Sequence, residues 1–224
     1  MKVWAANRSL IMAIMASTAL CFSGCIINLG FTGVQGSGVS KTEAREVEAY
    51  HSIDVSGAVK VNFVQGDDAS VTLTTDDNLV ELITTEVKDG VLVVGSKEQY
   101  SSQCGVELDI TNPDLKMIDM SGACSLNTDS LNGDDLELDL SGACGVTIAG
   151  TVNAINADVS GACKLSLQDL AAKSATIEMS GASSAKVNAS EKLDVDLSGA
   201  CKVSYKGDPK VTKSTSGVCK VKKM

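Results

Sequence analysis

Aromatic residues and positive charge are both scarce in this sequence of 224 residues. It holds three Tyr, three Phe and one Trp, and Arg occurs only as Arg8 and Arg45. Lys and Arg number 19 against 28 Asp and Glu, a formal net charge of −9. That balance lacks the basic stripe and stacking platforms of a nucleic-acid binder, so no nucleic-acid partner is expected. Histidine is nearly missing: His51, beside Tyr50, is the only one, and an unpatterned His is read as structural or solvent-exposed. There is no G-x-S-x-G, P-loop, H-E-x-x-H or C-x-x-C, hence no nucleophile elbow, phosphate cradle or zinc signature. Carbohydrate-active β-helix enzymes gather carboxylates in a cleft, often with basic residues and aromatic platforms. With so few of either, an enzyme is not expected. The sequence predicts no catalytic residue, metal or cofactor.

What fills the chain instead is one repeated phrase. Asp119-Met120-Ser121-Gly122-Ala123-Cys124 returns around Gly142, Gly161, Gly181, Gly199 and Gly217, at intervals of 20, 19, 20, 18 and 18 residues. An earlier copy surrounds Gly57. A period near 20 marks a solenoid whose coils stack one on the next. Within each copy apolar and polar residues alternate, as in Leu136, Leu138 and Leu140 against Glu137 and Asp139. That period-two pattern means strands with one buried face. Strands without intervening helices, stacked in phase, predict an all-β parallel β-helix with coils of 18–20 residues. The phase resets at Ser-Gly, so Gly57, Gly122, Gly142, Gly161, Gly181, Gly199 and Gly217 are expected at corners, where positive φ suits glycine.

In a stacked coil every repeat position becomes a ladder with rungs about 4.8 Å apart. Cys124, Cys144, Cys163, Ser183, Cys201 and Cys219 form one. Parity points them inward, as a buried stack of small, mostly free thiols. Asp119, Asp139, Asp158, Glu178 and Asp196 form an outer acidic ladder, with Glu137 and Asp194 as a partial second column. It reads as a solvated face; the nonapeptide of calcium-binding β-rolls is absent. Lys164, Lys186, Lys202 and Lys220 are expected as a third ladder just past the corner, partly neutralising the acids. Lys210, Lys213, Lys220, Lys222 and Lys223 make a basic C-terminal end that caps the solenoid against edge pairing, although self-association stays open.

Residues 1–24 read as a lipoprotein signal peptide. Lys2 and Arg8 precede a short apolar core, and Phe22-Ser23-Gly24-Cys25 resembles a bacterial lipobox with Cys25 as the lipidated residue. Membrane attachment through that lipid is the expected partner contact. Ile26 rather than Asp after it points, under enteric-type sorting, to an outer-membrane lipoprotein of the bacterial cell envelope, facing either the periplasm or the surface. Removing the signal leaves 17 basic against 28 acidic side chains. Residues 25–40, with four glycines from Gly30 to Gly38, read as a flexible tether. Residues 41–118 read as an irregular N-terminal section of the same solenoid, with a separate small β-domain as the alternative. There, Asp76-Asp77-Asn78-Leu79 predicts a capped short helix reaching about Thr84, and Asp89-Gly90 a hairpin turn. Residues 119–224 are the regular repeat.

Several phrases together resemble one known family. They are Ser52-Ile53-Asp54-Val55-Ser56-Gly57-Ala58, Gln65-Gly66-Asp67, Asp77-Asn78-Leu79, Glu86-Val87-Lys88-Asp89-Gly90-Val91-Leu92 and Pro113-Asp114-Leu115-Lys116-Met117-Ile118-Asp119-Met120-Ser121-Gly122. They are similar to the putative auto-transporter adhesin, head GIN domain family, over roughly residues 47 to 215. The resemblance implies a right-handed parallel β-helix, typically in bacterial envelope proteins, and no catalytic residues. The function expected is a lipid-anchored, non-catalytic adhesin or binding module for a protein or glycan ligand. A structural or assembly protein of the envelope is the alternative.

Overall fold

The computed structural model describes residues 32–224, and the alternating segments are strands throughout. They stack along two faces. The first face runs through Ile83–Lys88, Val91–Ser96, Ser52–Gly57, Met117–Gly122 and Asp135–Gly142. It continues through the second halves of Gly145–Gly161, Lys164–Gly181 and Ser184–Gly199, and ends at Lys210–Gly217. The second face runs through Ser40–Arg45, Ser70–Asp76, Glu107–Asn112, Lys60–Gln65 and Ser125–Asn132. It continues through the first halves of the same three long strands, then Lys202–Lys206 and Lys220–Lys223. All pairs from Val91–Ser96 and Glu107–Asn112 onward are parallel. The fold is a parallel β-helix of stacked coils.

Chain order and stacking order differ at the N-terminal end. The coil formed by 52–65 lies between the coil of 91–112 and the coil of 117–132. Antiparallel strands Ser40–Arg45, Ser70–Asp76 and Ile83–Lys88 close that end. Residues 41–118 are therefore the end of the same solenoid rather than a second domain, and one continuous buried cluster runs from Tyr50 to Val203.

The core is built of columns. Ile118, Leu138, Ala157, Ile177 and Val195 stack in register, and so do Met120, Leu140, Val159, Met179 and Leu197; all ten are buried. Large and small rungs share a column, as close packing of a narrow interior requires. Each fully buried Leu, Ile or Val contributes about 1.5–3 kcal/mol. Stacking also explains the corner. Each corner glycine has φ between 87° and 109°, and Ala162 N–H donates to the Gly142 carbonyl at 2.7 Å, a contact repeated up the stack. A Cβ on Gly161 would lie 2.3 Å from that same carbonyl oxygen.

Two local expectations are corrected. Residues 77–82 form successive turns, not a helix. Leu79 N–H bonds the Asp76 carbonyl and Leu82 N–H the Leu79 carbonyl, both at 2.9 Å, but the Asp76 side chain does not cap this segment. It turns to another loop, accepting from the N–H of Gly38 at 2.6 Å, of Gln103 at 3.0 Å and of Cys104 at 3.2 Å, and from Ser102 Oγ. The later part of the expected tether is built into the domain: Val34–Gln35 pairs with Tyr100–Ser101, and Ser37 N–H bonds Asn78 at 2.9 Å. The glycines there permit close approach rather than slack, since a Cβ on Gly36 would meet the Asp76 carboxyl at 2.6 Å. The signal segment 1–24, Cys25 and the rest of the expected tether up to residue 31 lie outside the described residues. The Asp89-Gly90 turn forms as expected, with φ of 51° and 77°, between Ile83–Lys88 and Val91–Ser96.

Candidate binding faces

The outward side chains of the first face form three polar columns. The middle one is acidic: Asp119, Asp139, Asp158, Glu178 and Asp196 are in register. Asp54 pairs with Asp119 and extends the column to six carboxylates. The sequence reading missed Asp54 because 65 residues separate the two. The signal was present in the shared Asp-Val/Met-Ser-Gly phrase. Two residues on, Ser56, Ser121, Ser141, Ser160, Ser180, Ser198 and Ser216 make a serine column beside the corner. Two residues before, Glu137, Asn156, Thr176 and Asp194 share a column, so the second acidic ladder is interrupted by neutral rungs.

Like charges a rung apart repel by just under about 1 kcal/mol in bulk water, and less with salt. The core tolerates that. The effect is felt at Asp119, whose carboxyl is pushed up first by burial and then by Asp54 and Asp139. None of the six carboxylates forms an ion pair among the described residues.

The lysines do not neutralise them. Lys164, Lys202 and Lys220 share a column on the second face, with Ser184 between the first two. Lys186 is not in it. The residue following Ser183 is Ser184, and Lys186 lies two positions further along, in register with Ser166 and Ser204.

Inside the corner, Cys124, Cys144, Cys163, Ser183 and Cys201 are buried, and Cys219 in the last coil is half-buried. All five thiols are free. Each thiol donates to the carbonyl three residues back, as Cys144 to Ser141 at 3.3 Å, and to the corner carbonyl of the preceding coil, as Cys201 to Gly181 at 3.6 Å. Ser183 makes the same contact, to Gly161 at 3.1 Å, and accepts from Cys163 N–H at 3.1 Å. Burial raises the Cys124 and Cys163 thiols above their ordinary range, which disfavours the nucleophilic thiolate. The column is chemically quiet. Exposed Cys104 is raised too, by burial and then by Asp76.

His51 Nδ1 lies 2.9 Å from Ser52 Oγ, but Ser52 is buried, which leaves no room for a substrate at that hydroxyl. A surface groove of about 590 Å³ is lined by Asp114, Lys116, Asp134, Asp135, Glu137 and Asn156, among others. Lys116 there is paired with Asp114 at 3.1 Å, and Asp134 is held by Asn153 at 2.9 Å. Neither place joins a nucleophile to a base and its orienting group.

The arrangement is that of a β-solenoid whose outward ladders form long, flat, chemically uniform faces. The chain belongs to the family described as putative auto-transporter adhesin, head GIN domain, whose profile matches residues 49–209. Membership indicates an adhesin-like binding role in a bacterial envelope or surface protein. Among the solved structures that share the fold are two putative adhesins. A putative adhesin from Bacteroides fragilis is 21% identical with a TM-score of 0.65, over 86% of this chain and all of that one. A putative adhesin from Parabacteroides merdae is 20% identical with a TM-score of 0.52, over 85% and 98% of the two chains. Among curated proteins, none matches the sequence.

Proposed function

We propose that the protein is a lipid-anchored, non-catalytic binding module of the bacterial envelope that acts as an adhesin through its first face. Cys25 is the lipidated residue in this reading, and the anchor is an outer-membrane one. The observation that carries the reading is the in-register outward array of six carboxylates beside seven serines. An array of that regularity suits a repetitive or extended partner, and its charge favours cationic groups on a protein or glycan ligand. Family membership supports the adhesin side of the reading.

The test has two parts. Protease added to intact and to lysed cells reports where the domain stands; cleavage on intact cells is expected for an adhesin. Cells carrying the triple change Asp139→Asn, Asp158→Asn and Glu178→Gln should then lose attachment to surfaces or partner cells while the protein level is unchanged. Full attachment by that variant would remove the acidic face from the function. Protection from protease until lysis would favour the second reading, an assembly protein of the periplasm. One observation supports that alternative: the last coil, Lys210–Gly217 and Lys220–Lys223, is paired on one side only among the described residues.

A further inference from the structure

The outward residues of the second face change sign along the stack. At the N-terminal end Lys60 pairs with Glu107 at 2.7 Å, and Asn62 donates to Glu107 and Asp109 at 2.7 and 2.8 Å. In the last four coils the same two columns hold Lys164, Ser184, Lys202 and Lys220 in one, and Ser166, Lys186, Ser204 and Lys222 in the other. The five lysines are exposed, and none has an ion-pair partner among the described residues. Rung spacing and strand rise put them in an area of about 14 Å by 7 Å, with neighbouring pairs about 5–10 Å apart, comparable to the Debye length. Their fields therefore add, on a chain whose net charge is −9.

The fold does not require this. Ser125, Gly145 and Ser184 fill the first of these columns equally well, so the lysines are placed there against their mutual repulsion. We propose that this lysine–serine grid is a docking face for a bilayer surface rich in anionic lipid headgroups. The inference rests on neither the lipid anchor nor the adhesion reading. Charge complementarity selects an anionic partner. The shape and composition of the face select a flat one: it is one side of a regular sheet, and no aromatic side chain stands among its outward residues to stack on sugar rings. Tyr205, on the same strands, occupies the column of buried Val187. Docked this way, the solenoid lies along the membrane and its acidic first face stays clear of the headgroups.

The full-length protein is mixed with preformed vesicles of phosphatidylcholine alone or of phosphatidylcholine with an equal part of phosphatidylglycerol. Lysines are then labelled with an amine-reactive reagent and mapped by peptide mass spectrometry. Lys164, Lys186, Lys202, Lys220 and Lys222 are expected to be protected in the anionic vesicles, and high salt should abolish the protection. Lys173, exposed on another side of the same coils, should label equally in both. Each lysine changed to Gln should weaken the association about fivefold. The triple change Lys164→Gln, Lys202→Gln and Lys220→Gln should expose Lys186 and Lys222 without lowering the melting temperature. Equal labelling in the two vesicle types overturns the proposal. Protection that appears only when dextran sulfate is added over neutral vesicles also overturns it, and assigns the face to an anionic glycan instead.

Discussion

The corner column makes the sharpest quantitative prediction, because three glycines separate its two physical ingredients. Gly145 has no positive φ and nothing within 4 Å of where a Cβ would stand. Gly105 has φ of 83° and equally open surroundings. Gly161 has φ of 100° and the Gly142 carbonyl oxygen 2.3 Å from the Cβ position. Changed to alanine, Gly145 should leave stability unchanged or raise it by up to about 1 kcal/mol, because a glycine loses more freedom on folding. Gly105→Ala should cost about 1–2 kcal/mol, the strain of a side chain in the left-handed region. Gly161→Ala carries that strain and must also push two coils apart. Overpacking of this kind costs about 1–3 kcal/mol, and the 2.7 Å bond from Ala162 to Gly142 is worth about 1 kcal/mol more. The expected total is roughly 3–6 kcal/mol. Urea unfolding of the three variants, compared at constant m-value, measures the series. If Gly161→Ala costs no more than Gly105→Ala, close approach between coils does not set the corner, and backbone conformation alone does.

Hydrogen bonds from Ser102, then from the Gly38, Cys104 and Gln103 amides, hold the Asp76 carboxyl well below the usual carboxylate range. Its folded pKa is depressed, so its contribution is fully present above the unfolded value near 4 and is lost as pH falls below it. Amide exchange of residues 34–45 should accelerate selectively in that acid range, and Asp76→Asn should accelerate it already at neutral pH. Asp119 has the opposite sign. Its pKa is raised, so Asp119→Asn should raise the melting temperature at pH 7, with the gain shrinking in salt and vanishing in acid. Cys163→Ser should change stability by less than about 1 kcal/mol, because a serine hydroxyl replaces the weak thiol donor as Ser183 already does. Thiol reagents should label exposed Cys104 in the native domain and reach Cys124, Cys144, Cys163 and Cys201 only on unfolding.

The regular half of the fold was readable because a solenoid writes its geometry into its period. Once Gly122, Gly142 and Gly161 stack, each residue of the strands leading into those corners has a fixed neighbour 19 or 20 positions away. The N-terminal end was less readable for the same reason: its neighbours are set by no period. Ser52–Gly57 pairs with Val91–Ser96 and Met117–Gly122 on its two sides, a stacking order that no local pattern contains. Asp76 illustrates the loss at the level of one residue. Asp-Asp-Asn before an apolar residue has the local chemistry of a helix cap, yet its amide partners come from Gly38, Gln103 and Cys104, distant in sequence. The glycines of 33–38 mislead similarly, since composition cannot distinguish a slack chain from one pressed against a carboxylate.

Outward columns are constrained differently from inward ones. An inward rung must be apolar or small, and the core explains it. An outward rung is free, as the acidic column itself shows at its two ends: Val93 stands below Asp54, and Ser214 above Asp196. Six consecutive acids between those ends are therefore not a requirement of folding. They also oppose it slightly, through a repulsion that no ion pair among the described residues relieves. The lysines of the second face stand in the same position, since serine and glycine share their column. Where a repeat keeps one charge on a face that tolerates others, a gain from outside the chain accounts for what folding does not. That gain is the reason to look for a cationic partner on one face and an anionic surface on the other.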